Sequence, residues 1–104
     1  MPSEEYVELV LSAVERIPPG KVMAYGDVAE YVGQGGPRQV GWVMAHHGGA
    51  VPWWRVVRAD GRPHDKAGEA VRRLRSEGVP FRDPDGERVD MRAARWMPDL
   101  SRPR

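Results

Sequence analysis

The sequence predicts a mainly α-helical domain with a small β wing, a winged helix-turn-helix, and three observations carry that expectation. Two short helical patterns, about Tyr25 to Val32 and 37–47, are joined by the glycine-bearing turn GQGGP. Directly after them, RVVRADGRPH places Asp60-Gly61, a strong hairpin signal, between two short strand-like stretches, which is where a wing belongs. Finally, 104 residues suffice for one modest core but not for two, so residues 1–104 are expected to form one domain.

The elements follow in order. Ser3 is placed to cap a first helix with Glu4 and Glu5 in its first turn, and Val7, Val10, Leu11, Val14 and Ile17 recur at helical spacing. Pro18, Pro19 and Gly20 end it, and KVMAY is short and extended. The second helix buries Val28, Ala29 and Val32 and stops at Gly33; Pro37 suits the start of the third. That third helix sets Val40, Met44 and His47 on one side and is halted by Gly48 and Gly49. A fourth helix over 67–78 points Ala67, Ala70, Val71 and Leu74 inward and Arg72, Arg73 and Arg75 outward. A second turn signal, Asp85-Gly86, precedes VDMRAARWMP, whose Val89, Met91 and Trp96 fold back on the body as a C-terminal extension, before a frayed tail.

Composition narrows the chemistry. No apolar run approaches the roughly 20 residues of a membrane span, and the N-terminus is acidic where a secretory signal would be basic, so the expected location is the cytoplasm. The absence of cysteine removes disulfides, thiolate metal sites and a cysteine nucleophile together. His46, His47 and His64 do not form a metal-ligand pattern, since adjacent histidines on a helix point apart. Neither a metal nor any other cofactor is implied. The net charge of +1 hides an uneven distribution: residues 1–37 carry −4, residues 38–82 carry +5 and the remainder balances. A positive, arginine-rich middle suits phosphate binding, and equally an exposed charged face.

One stretch stands out. In VPWWRVV, residues 51–57, two large indoles sit side by side. By residue type alone they read either as core ahead of a buried strand or as an aromatic binding site. The surrounding runs IPPGKVMAYGDVAEYVG, PRQVGWVM, VPWWRVV and AGEAVRRLRSEGV, spread over residues 5–81, closely resemble the DNA-binding domain of the O6-alkylguanine-DNA alkyltransferases. The transferase signature is Pro-Cys-His-Arg, and this chain has Pro52-Trp53-Trp54-Arg55 in that frame. It thus resembles the alkyltransferase-like branch, which has lost the alkyl-accepting cysteine.

The resemblance implies a protein that binds O6-alkylguanine in duplex DNA, flips the nucleotide without reacting with it, and directs the lesion to nucleotide excision repair proteins. It implies a lesion pocket built on Trp53, with Trp54, Tyr25, Val51 and Pro52, and with Arg62 and Lys66 at its rim. Trp54 stands where that branch commonly has histidine, and the loop from Gly48 to Val51 is shorter than in human-type transferases. Arg38 corresponds to the arginine that enters the base stack, and Tyr25 to the tyrosine that crowds the phosphate beside the lesion. Gln39, Gly41, Trp42 and Arg55 complete the implied DNA-binding set: Gly41 permits close approach, Trp42 covers the helix, and Arg55 supports the site by hydrogen bonding. A monomer without a membrane partner is expected. The competing reading is a winged-helix regulator or interaction module that keeps the fold without lesion recognition.

Overall fold

The structure is a computed structural model and describes residues 2–64 and 68–98. Expectations for Lys66, Ala67 and the tail from Asp99 lie outside the described residues. Helix α1 (Glu4–Arg16) starts where Ser3 accepts the Tyr6 N–H at 3.2 Å, and it buries Tyr6, Val10, Ala13 and Val14. Strand β1 (Met23–Ala24) runs straight into α2 (Tyr25–Val32), which ends at Gly33 with φ of 85°. Helix α3 (Pro37–His47) follows, with proline at its first position, where a missing N–H costs nothing. Two 3-10 turns, Gly48–Ala50 and Trp53–Arg55, lead to β2 (Val56–Val57); α4 (Glu69–Ser76) and α5 (Met91–Ala94) complete the order.

Helices α1, α2 and α3 pack on one another, giving the helix-turn-helix and its supporting helix. The wing differs from the expected two-stranded hairpin. Strand β2 pairs in parallel with β1, Met23 opposite Val56 and Ala24 opposite Val57, while the Asp60-Gly61 turn is closed by one antiparallel bridge from Val57 to Pro63. Pro63 has no N–H to extend a ladder, and Val56 and Val57 are both buried, so the valine pair gains more inside than on a wing. The third helix also buries a different face: Val40 and Val43 are inward, Met44 is half-buried and His47 is exposed. Val40 and Val43 form the stripe that meets α1 and α2, and β-branched side chains fill that narrow seam. Val32 and Val71 are half-buried where full burial was expected, and α4 starts at Glu69.

The C-terminal extension is woven into the core. Phe81 bridges Val89 across the Asp85-Gly86 turn, and Val89 and Ala94 join Val22, Val57, Leu74 and Val79 in a second apolar cluster. Val22 then donates to the Ala94 carbonyl at 3.0 Å and accepts the Trp96 N–H at 2.7 Å, so the extension continues the edge of β1. Trp96 reaches Tyr31, with ring centroids 6.0 Å apart. Among the described residues one charged side chain is buried with the core, Asp27, at 4% exposure. Its carboxylate accepts the Ala24 N–H at 2.9 Å, closing the first turn of α2, and takes Nε and Nη2 of Arg95. Burial opposes ionisation of Asp27, but the Arg95 hydrogen bonds, the Ala24 N–H and the Arg95 charge together outweigh it and hold the carboxyl below its ordinary range.

Two expectations follow. Gly61 has φ of 91°, and a Cβ there would lie 2.5 Å from the Val89 carbonyl oxygen, whereas Gly78, at φ of 80°, has open space. Gly78→Ala should therefore show backbone strain alone, about 1–2 kcal/mol, and Gly61→Ala clearly more, read as the difference between their thermal melting curves. The second concerns acid. Because the folded carboxyl of Asp27 titrates below its unfolded value near 3.9, its stabilisation is complete above that value and is lost as pH falls through the lower, folded one. Asp27→Asn should lose about 1–3 kcal/mol at neutral pH and flatten the acid limb of a plot of melting temperature against pH.

Candidate nucleic-acid interface

The start of α2, the start of α3 and the first 3-10 turn converge on one hollow. Tyr25 is the first residue of α2 and is held there by the Asp27 capping contact. Arg38 follows Pro37 in the first turn of α3, and Gly41 lies one turn further, leaving room where any side chain would fill it. With Met44, Trp53, Arg58 and His64 these residues line a pocket of about 660 Å³ whose walls are mainly apolar and whose lining, among the described residues, includes no carboxylate. Burial pushes the Tyr25 phenol above its ordinary value, with the Arg58 charge opposing, so Tyr25 stays a neutral hydroxyl at pH 7. A larger open hollow of about 1250 Å³ lies between α1 and α3, but Glu4, Glu5 and Glu8 line it, and that sign repels phosphate.

The two tryptophans part company. Trp53 faces the pocket; Trp54 lies edge-on to it, with ring centroids 5.7 Å apart and planes at 86°, and turns toward α4. There its Nε1 donates to Glu77 at 3.0 Å, the Arg73 guanidinium sits 4.4 Å from its ring centroid, and it packs on the second apolar cluster. Arg55 donates Nε and Nη2 to the same carboxylate, at 3.0 and 2.6 Å, and Nη1 to the Ile17 carbonyl at 3.0 Å. Both charges of that pair are largely buried, with side chains 12% and 14% exposed. Burial opposes ionisation of Glu77, yet the Arg55 and Trp54 hydrogen bonds, the Arg55 charge and the Gly20 N–H hold its carboxyl low.

Of the implied site residues, the structure brings together Tyr25, Arg38, Gly41 and Trp53. Val51, Pro52, Trp54 and Arg55 lie instead along a shallower cleft of about 360 Å³, reached from the pocket by way of Trp53. Gln39 accepts the Gly36 N–H at 3.0 Å and so caps α3, and Trp42 stacks on His46 with centroids 4.1 Å apart. Arg62 is exposed and paired with Asp60 at 3.6 Å, away from the pocket lining. Sequence reasoning missed Arg58, His64 and Met44 in the pocket, and Glu77 behind it. An acidic residue just ahead of Gly78 reads as a solvated helix end, and the exposed Arg58 carries no signal apart from its charge.

Chemically, the pocket offers an indole wall, a phenol, two guanidinium groups and an imidazole, and no thiol. Among the described residues no group of histidines and carboxylates is placed to hold a metal ion, and no helix is long and apolar enough to cross a membrane. Residues 5–79 match the DNA binding domain of 6-O-methylguanine DNA methyltransferase. The chain is 41% identical over 90 residues to Alkyltransferase-like protein 1 of Schizosaccharomyces pombe, covering 76% of this chain and 81% of the relative. It is 27% identical over 101 residues to a DNA base-flipping protein of Vibrio parahaemolyticus, covering 91% and 99%. The fold superposes, with a TM-score of 0.76 and 35% identity, on the crystal structure of S. pombe Atl1 in complex with damaged DNA containing O6-carboxymethylguanine, covering 94% of this chain and all of that one. A motif that carries the pocket, a helix-turn-helix that positions it and a match across residues 5–79 agree: the chain belongs to the family of the 6-O-methylguanine DNA methyltransferase DNA-binding domain.

Proposed function

We propose that this protein is a non-catalytic sensor that binds O6-alkylguanine in duplex DNA, turns the nucleotide out into the Trp53 pocket and passes the lesion to nucleotide excision repair, acting as a monomer on DNA in the cytoplasm. One observation carries the reading: an indole occupies the frame of the family's alkyl acceptor, in a pocket with Tyr25 and Arg38 in its walls, in a chain without cysteine. A tryptophan cannot accept an alkyl group by displacement as a thiolate does, so a bound lesion stays intact and must be removed by other proteins. The relatives support the binding half, one being a base-flipping protein and another having been crystallised on DNA that contains O6-carboxymethylguanine. A regulator without lesion recognition drew its support from Trp54. The turn of Trp54 onto Glu77, which keeps it clear of the Trp53 pocket, favours the sensor reading over that one.

The energetics divide between two terms. Phosphate contacts from the basic middle of the chain give affinity for any duplex and weaken with salt. Burying the extra methyl of O6-methylguanine against Trp53 and Met44 adds about 0.8 kcal/mol, roughly a fourfold preference, and an altered base that pairs poorly also leaves the stack more readily. Matched duplexes with guanine or O6-methylguanine at one position should therefore differ by at least several-fold at moderate salt, with both affinities falling as salt rises. Equal affinities would remove the sensor reading. Arg38→Ala should weaken binding of the lesion duplex more than of the plain one and reduce flipping seen with a fluorescent base analogue, because a vacated stack costs a few kcal/mol.

The same geometry says what a restored thiol would lack. In Trp53→Cys the sulfur would border an apolar pocket, and the neighbouring Glu77 carboxylate is already committed to Trp54 and Arg55. Trp54 offers a donor and no acceptor, so the position next to the thiol supplies no base for its proton. Incubation with DNA carrying a labelled methyl on O6-methylguanine should leave the variant unlabelled on the timescale of binding; rapid stoichiometric labelling would refute this account of Trp54.

A further inference from the structure

Beside the lesion pocket lies a second cleft of about 500 Å³, and the two share Tyr25, Pro37 and Arg58. The far wall of this cleft carries Arg95, which belongs to the C-terminal extension and lies beyond the residues 5–79 matched to the family. The two arginines are presented differently. Arg58 is exposed, and among the described residues its side chain has no hydrogen-bond or ion-pair partner, although its charge is felt at Tyr25. Arg95 is anchored: Asp27, 4% exposed, holds Nε and Nη2 of a side chain that is itself 45% exposed. The pair occupies two of the guanidinium's five N–H donors and leaves the rest toward the cleft.

We propose that this cleft seats the DNA phosphodiester that flanks the flipped nucleotide, clamped between Arg58 and Arg95, so that the C-terminal extension is part of the DNA interface. The proposal rests on the sensor reading and adds to it a phosphate site. A base can enter the Trp53 pocket only if its backbone crosses the rim, and the residues shared by the two hollows are that rim. A phosphodiester brings one negative charge and acceptor oxygens, which suit two guanidinium groups and exclude an unpaired carboxylate; Asp27 is spent on Arg95. Because Asp27 fixes Arg95 before DNA arrives, less side-chain freedom is lost on binding. Arg38 is left for the base stack.

The test is the salt dependence of binding to plain and O6-methylguanine duplexes, followed by fluorescence anisotropy. Arg58→Gln removes one charge. The double substitution Asp27→Asn/Arg95→Gln keeps net charge constant and leaves no buried carboxylate unpaired. Each protein should bind the O6-methylguanine duplex more weakly, with the plain duplex losing no more than that, and the slope of log K against log salt should become shallower, by about 0.9 for Arg58→Gln. Unchanged affinity and slope in either protein would overturn the clamp. So would a weaker affinity for the lesion duplex with an unchanged slope, which would make the arginine a contact to the base and not to phosphate. The unsubstituted protein separates the two levels: equal affinity for both duplexes sinks the sensor reading, while the slopes still report whether the cleft holds phosphate.

Discussion

Asp27 is a charge with almost no access to water, and the molecule is arranged around answering it. A buried carboxylate is tolerated only when paired and hydrogen-bonded, and Asp27 meets that requirement from two directions. The Ala24 N–H closes the first turn of α2, which sets Tyr25 at the pocket. Arg95 arrives from 68 residues away and pins the C-terminal extension along β1. Local and distant structure are thus coupled at one side chain: the start of the helix-turn-helix and the last bridged residue of the extension share a single carboxylate.

Behind the pocket, Glu77 plays a parallel part. Its two oxygens take Arg55 and the Trp54 indole, and Arg55 in turn holds the Ile17 carbonyl at the end of α1. This cluster fixes the 3-10 turn that carries both tryptophans. With Trp54 locked against α4 and capped by Arg73, Trp53 has a rigid partner at right angles to it. A pocket wall made of a large aromatic ring keeps its shape best when its neighbours are packed and hydrogen-bonded.

The ionisable groups around the pocket are set by burial and pairing. Nucleophilic transfer needs a weakly acidic group beside a base. Around Trp53, Glu77 is held ionised by its donors and Tyr25 is held neutral by burial, while the His64 imidazole lines the pocket. The hollow itself offers apolar area, a phenol, two guanidinium groups and an imidazole.

Much of this was legible in the residues, for reasons that differ by element. Helices α1 and α2, and the start of α3, follow from local signals, namely the Ser3 cap, apolar spacing, Gly33 and Pro37, and those signals act within a few residues of the backbone they shape. The frame around Trp53 was likewise visible as a linear motif, and the absence of cysteine excluded thiol chemistry outright. The valine pair of β2 was readable as a strand but not as the parallel partner of β1, because pairing across 33 residues leaves no mark in either segment. Nor could the sequence separate Trp53 from Trp54. Adjacent residues of one type look alike in a chain, and only the packed neighbours, an open pocket on one side and Glu77 with Arg73 on the other, placed one indole at the pocket and the other against α4. Arg95 was decided in the same way: as a charge near the C-terminus it reads as solvated, and the buried oxygen atoms of Asp27 gave it its place.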